Sequence, residues 1–213
     1  MRIEIQPEES SRAEAFRLWM LSPMPMVTLV KKLDVSRIVK ISKRTDVKFT
    51  TLMCWCIGRA ASGVEEFYTL PENGKLYRYD RLAVNVIVQN IKDGINSCDI
   101  PFNNDLQQFN RDYLELTRQA AKECKSSFLE DYMVVGTSAI VQTELDGIVN
   151  QYTYQFCNPF LAWGRYRKGL CKTTLPISFQ FHHVQMDGGQ ATRFLQCLQE
   201  VIDNLRVTKP PKR

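Results

Sequence analysis

Histidine is almost absent from this chain of 213 residues: it occurs twice, as the adjacent pair His182 and His183. Also missing is any apolar run approaching the ~20 residues that a bilayer span requires, and the N-terminal stretch "MRIEIQPEESSR" lacks the basic-then-apolar pattern of a secretion signal. These two absences argue against a membrane protein and lead to the expectation of a cytoplasmic one. The seven cysteines, odd in number and scattered, include no Cys-x-x-Cys pair, which speaks against a disulfide framework. Zinc is poorly served too, because "CWC" sets Cys54 and Cys56 too close for a two-ligand knuckle and the histidines are neighbours. The expectation is therefore no metal, and thiols used as buried small hydrophobes in a reducing compartment. Basic residues outnumber acidic ones by only 28 to 23, and no basic block appears apart from the tail "VTKPPKR", so nucleic acid is not the default partner.

What is present reads as one continuous domain. No repeat, linker or composition shift interrupts residues 12–206, which predicts a single domain over 1–207 and a flexible basic tail over 208–213. "SSRAEAFRLWM" has a Ser cap candidate followed by Ala15, Phe16 and Trp19 at helical spacing. "MVTLVKKL" is strand-like, and Asp34 can cap a helix over "VSRIVKISKR". "KFTTLMCWCIGRAAS" is apolar nearly all round, as a helix buried inside the domain would be. Asn73-Gly74 marks a turn before two strands in "GKLYRYDRLAVNVIVQN". A 3,4 rhythm of Leu106, Phe109, Tyr113, Leu116 and Ala120 predicts a helix from Asp105 to Lys125. Strands are then expected in "YMVVGTSAI", "GIVNQYTYQF", "FLAWGRY" and "KTTLPISFQFHH", with a closing helix from about Gly189. The sum is an α/β fold, a two-layer sandwich in which helices cover a mixed β-sheet.

The histidine pair ends the last of those strands and precedes an Asp-Gly-Gly turn. Successive strand residues point to opposite faces, so His182 and His183 cannot share one job. Taken alone, one is a core imidazole and the other a surface residue; but a His at a strand end, before a loop and a helix start, stands where catalytic groups are presented. Neutral imidazole is also well suited to removing a proton near neutral pH. Spacing alone suggests a His183–Asp187 dyad.

His-His-x-x-x-Asp-Gly after an apolar strand resembles the signature of the chloramphenicol acetyltransferase superfamily, shared with dihydrolipoamide acyltransferase cores and peptide condensation domains. Condensation domains are about twice this length, and the dihydrolipoamide enzymes carry lipoyl domains and linkers that this sequence lacks. "RAEAFRLW", "KKLDVSRI", "KFTTLM" and "NPFLAWGRYRKG" resemble the chloramphenicol acetyltransferase branch in order and spacing, over nearly the whole chain. "GTSAIVQTEL" departs from it, with Val141-Gln142 in place of a Pro-Trp pair.

The resemblance implies a chloramphenicol acetyltransferase-like fold and a CoA-dependent O-acetyltransferase. Acetyl-CoA would be a co-substrate, with no permanently bound cofactor. His183 would be the general base in a ternary complex without an acyl-enzyme, and Ser138 the oxyanion donor, with Thr137 as a fallback. Asp187 would pair with Arg12 to hold the active-site loop, against the dyad suggested by spacing. Tyr166 would pack on adenine and Lys48 lie near the ribose phosphate; an interface Tyr and a solvated Lys are the alternatives. Trp19, Met26 and Val27 fall at acceptor-pocket positions, although Met26 and Val27 differ from the usual small-then-Phe pair. The partners implied are a small hydroxylated acceptor, chloramphenicol first among them, and two further copies in a homotrimer with active sites between subunits. A different alcohol or amine acceptor, or a binding module without turnover, are the competing readings.

Overall fold

The computed structural model describes residues 1–153 and 155–207; the basic tail expected over 208–213 lies outside them. The elements in chain order are β1 (Arg2–Ile5), α1 (Ala13–Trp19), β2 (Met26–Asp34), α2 (Ser36–Ser42), α3 (Phe49–Ala61), β3 (Thr69–Glu72), β4 (Lys75–Tyr79), β5 (Leu82–Gln89), β6 (Ile95–Pro101), α4 (Leu106–Glu123), β7 (Met133–Ile140), β8 (Phe160–Gly164), β9 (Arg167–Lys168), β10 (Thr173–His182) and α5 (Gly188–Asn204). Among the described residues the large sheet runs β2-β10-β8-β7-β5-β6, with β9 beside β10. Its centre is parallel, at β8–β7 and β7–β5, and its flanks are antiparallel, as the mixed-sheet expectation requires.

The strand period of two divides this sheet into a helix face and a cavity face. Val84, Val135, Leu161 and Phe179 are buried on the first, where α2 to α5 pack. Phe67, Phe179 and Phe194 form its aromatic centre, with Phe194 4.7 Å from each of the other two ring centroids. The all-round apolar character of α3 has its explanation here: it lies between the sheet and α2, α4 and α5, so both sides of the helix are covered. Asn85, Gly136, Phe160 and Gln180 belong to the cavity face.

A second sheet, β1-β4-β3, borders that cavity. Asn73 and Gly74 both have positive φ, 50° and 77°, the two-residue loop that joins twisted antiparallel strands; it links β3 to β4. Neither β1, β3 nor β6 is expected from the sequence, whereas the described residues of "GIVNQYTYQF" do not form the expected strand. Only an isolated bridge, Thr153 to Phe156, occurs there among the described residues. The polar groups of this segment are met by side chains of β10 instead of a neighbouring backbone: Ile148 N–H donates to Ser178 Oγ at 2.7 Å, and Gln180 Nε2 donates to Asn150 O at 3.1 Å. The helix expected at Asp34 begins one residue later, at Ser36 after Val35, although Asp34 Oδ1 still accepts from Ser36 N–H at 3.0 Å.

Candidate active site

Strand β10 stops at His182 and the chain turns. His183 N–H donates to Pro25 O at 2.8 Å, which ties the turn to the residue before β2. His182 is 1% exposed, and its Nδ1 accepts the backbone N–H of Val184 at 3.1 Å. Burial, aided by repulsion from His183, pushes its pKa down to about 4, so His182 is a neutral scaffold residue. His183 is only half-buried. Its ring stacks on Trp19, with centroids 5.1 Å apart and planes 12° from parallel. Nδ1 is enclosed without a hydrogen-bond partner among the described residues, which leaves Nε2 as the ring nitrogen able to meet an incoming group.

Arg12 immobilises the turn from the other side. Its Nη2 donates to His183 O at 2.8 Å, Nε to Val184 O at 3.0 Å, and Nη1 to Asp187 Oδ2 at 3.3 Å. Asp187 has a second task that the sequence reading missed: it caps α5. Its Oδ1 accepts from Gly189 N–H at 2.9 Å, and in return Asp187 N–H donates to Gln190 Oε1 at 2.8 Å, completing a capping box. The signal was legible as Asp-x-x-Gln before an apolar stripe. Burial would raise the Asp187 pKa, but the bonds from Gly189 and Gln190 and the Arg12 charge outweigh it and hold the carboxyl below its ordinary range. None of its hydrogen bonds goes to the His183 ring, so geometry gives no His–Asp dyad.

Ser138 lies elsewhere. It stands on β7 and lines a cavity of about 640 Å³ on the helix-free face of the large sheet, walled by β3, β4 and the segments around residues 128–134 and 148–160. Its hydroxyl makes no hydrogen bond to a described residue. Thr137, one position along, points to the helix face: it is 2% exposed, and its hydroxyl donates to Asn85 O at 2.7 Å and touches Cys54 Sγ at 3.8 Å. The fallback oxyanion donor is thereby removed, because its proton is already engaged and its side chain faces away from the cavity. Neither His183 nor Trp19 is among the cavity-lining residues, so within one chain Ser138 and His183 do not line this cavity together.

The remaining expected residues are distributed as follows. Tyr166 is half-buried and packs on Phe49, ring centroids 5.1 Å apart, while exposed Lys48 immediately precedes Phe49 as the N-cap of α3. Tyr166 and Lys48 thus share one neighbourhood. Met26 pairs with His182 across β2 and β10, on the cavity side of the sheet, and Val27 pairs with Phe181 and packs into the core. These two side chains therefore point to opposite faces and cannot line one pocket together. The buried Asn85–Asp99 pair of the cavity, bonded at 2.6 Å, escaped the sequence reading altogether.

Comparison with known proteins agrees with the fold. Residues 2–199 match the family model of chloramphenicol acetyltransferase. Among curated proteins, a chloramphenicol acetyltransferase of Clostridium perfringens is 26% identical over 209 residues, covering 94% of this chain and 98% of its relative. Chloramphenicol acetyltransferase 2 of Escherichia coli is 23% identical over 202 residues, 92% and 94% of the two chains. A solved chloramphenicol acetyltransferase superposes with a TM-score of 0.83 at 18% identity, covering 95% of this chain and all of that one. A truncated catalytic core of the 2-oxoacid dehydrogenase complex from Thermoplasma acidophilum superposes at 0.67, with 18% identity and 95% and 99% coverage.

Proposed function

The chain belongs to the chloramphenicol acetyltransferase family, and on that premise we propose that it transfers the acetyl group of acetyl-CoA to a hydroxyl of a small acceptor, chloramphenicol being the first to test. Acetyl-CoA is a co-substrate that comes and goes. In this reaction His183 Nε2 takes the proton of the acceptor hydroxyl as its oxygen attacks the thioester carbonyl carbon. The tetrahedral oxyanion accepts a hydrogen bond from Ser138 Oγ. Collapse breaks the carbon–sulfur bond, the CoA thiolate recovers the proton from the imidazolium, and the products are the O-acetyl ester and free CoA. The observation that carries this reading is His183 fixed at both ring and backbone: its imidazole stacks on Trp19, its N–H is bonded to Pro25 O and its carbonyl to Arg12. Such fixing removes the orientational freedom that a general base otherwise loses in the transition state.

The separation of Ser138 from His183 within one chain supports a complete site made by two copies, His183 of one approaching the cavity that holds Ser138 of the next. A closed ring of such head-to-tail contacts gives the homotrimer. Tyr166 and Lys48, gathered beside Phe49, are the pair assigned to the adenine and phosphate end of the co-substrate. No described helix is long and apolar enough to cross a membrane.

The test is release of free CoA, followed with a thiol-reactive dye, when chloramphenicol is added to protein and acetyl-CoA. Wild type releases thiol and His183→Ala falls by roughly 10²- to 10⁴-fold. Release with another alcohol but not with chloramphenicol moves the assignment to that acceptor; tight CoA binding without turnover on a broad panel makes the protein a binding module. A different acceptor is favoured by one observation, the polar group of Asn85, Asp99 and Gln180 within an otherwise largely apolar cavity lining.

A further inference from the structure

Asp99 is the most unusual group in the cavity. It sits on β6, faces the cavity beside Asn85, and is 3% exposed. Its Oδ1 accepts from Asn85 Nδ2 at 2.6 Å and its Oδ2 from Leu129 N–H at 2.9 Å, both neutral donors. No cation among the described residues pairs with it, although a buried carboxylate ordinarily has one. Burial raises its pKa despite these two bonds, as expected of a carboxylate whose charge is not compensated.

The rest of the lining does not supply the missing charge. Among the described residues Arg2 is the lone cationic side chain of the cavity wall, and it is already engaged by Glu72 at 2.6 Å and lies 3.7 Å over the Tyr77 ring. Three carboxylates, Glu72, Asp99 and Glu130, thus face one guanidinium, which leaves the ionised wall two negative charges in excess. Asn150 Nδ2, on the same wall, is an enclosed donor without a partner among the described residues. Within the sheet, Asp99 is opposite Asn85, Asn85 is beside Gly136, and Ser138 is two residues further along β7. Strand spacing and rise then put the Asp99 and Ser138 Cα atoms on the order of 12 Å apart on one face.

We propose that this cavity selects an acceptor carrying a protonated amine as well as the reacting hydroxyl, an amino alcohol whose ammonium is received by Asp99 while its hydroxyl lies toward Ser138. The inference rests on the acetyl-transfer reading for the identity of the site and deepens it by assigning the acceptor's charge. A purely structural Asp99, tying residues 127–129 to β6, would make no distinction between charged and neutral acceptors.

Two nitrophenyl propanediols differing at nitrogen provide the test: the N,N-dimethyl amine, a tertiary ammonium at neutral pH that cannot form an amide, and the neutral N-acetyl derivative. Wild type is expected to favour the ammonium compound at least tenfold in kcat/KM, and Asp99→Asn to reduce that ratio at least tenfold. Calorimetric binding of the two compounds without acetyl-CoA should follow the same order. A wild-type preference for the neutral compound, failure of both compounds to bind or react, or a ratio unchanged in Asp99→Asn overturns the proposal; if Asp99→Asn does not fold, the wild-type ratios decide. Charge-selective binding with no thiol release from any acceptor leaves the ammonium site standing and removes acetyl transfer. Acetylation of chloramphenicol with no preference for the ammonium does the reverse.

Discussion

Trp19 stacks on His183 with ring centroids 5.1 Å apart and planes 12° from parallel. The indole reaches the imidazole because α1 ends at Trp19 and Arg12, at the other end of α1, bonds the His183 carbonyl. An aromatic pair of this kind contributes about 0.5–1.5 kcal/mol. Trp19→Ala should therefore lower kcat/KM by about 2- to 10-fold and Trp19→Phe by less. Melting temperature should fall by only a few degrees, since the same stack is lost from the folded state and Trp19 is 38% exposed. Steady-state kinetics and a thermal melt on both variants check this.

Arg12 and Asp187 are not equivalent halves of one ion pair. The Arg12 side chain is 11% exposed and satisfies two backbone carbonyls, whereas Asp187 is 48% exposed. Arg12→Ala strands both carbonyls and should destabilise by about 2–4 kcal/mol. Asp187→Asn keeps an oxygen for the N-cap of α5 and loses only a half-exposed charge pair, so about 1 kcal/mol or less is expected. Denaturant unfolding of the two variants should rank them in that order.

Ser138 and Thr137 are neighbours with opposite fates. Ser138→Ala should reduce kcat by roughly 10²- to 10³-fold, the usual loss for one oxyanion donor, with an unchanged melt. Thr137→Val leaves Asn85 O without its 2.7 Å donor and should destabilise by about 1–3 kcal/mol while affecting the chemical step far less.

Acid should unfold the protein through His182. Burial holds its folded pKa at about 4, so between pH 6.5 and 4 the unfolded chain takes up a proton that the folded chain refuses. Stability is then unaffected above that window, declines as pH falls through it, and is lower by on the order of 3 kcal/mol at its foot. His182→Gln should flatten the dependence of the melting temperature on pH across that range. An equally steep fall in the variant would assign the acid sensitivity to other groups.

The legible parts of this fold are those where one face is apolar. Strand β10 and helices α4 and α5 announce themselves because Phe179, Phe109 and Phe194 recur with the proper period toward one core. Strand β6 does not, since "INSCDIP" offers only Cys98 and Ile100 to the core, too short an apolar alternation to stand out beside Ser97 and Asp99, which face the cavity. "GIVNQYTYQF" misleads in the opposite direction: its β-branched and aromatic residues suit a strand, but Ser178 and Gln180 take up the bonds a ladder would need. Within the site, the Arg12–Asp187 contact and the division of labour between His182 and His183 follow from local motifs. The absence of His183 from the cavity that Ser138 lines does not, because periodicity says which way a side chain points and not which strands become neighbours.

The central claim, that Ser138 of one copy serves His183 of another, is tested most directly by mixing two inactive variants. His183→Ala and Ser138→Ala, co-expressed in equal amounts, would assemble at random, and about a quarter of the subunit contacts would then join an intact His183 to an intact Ser138. Acetyl transfer should return to about that fraction of wild type. A mixture as inactive as either variant alone would contradict the account, because it would require both residues to act from a single chain.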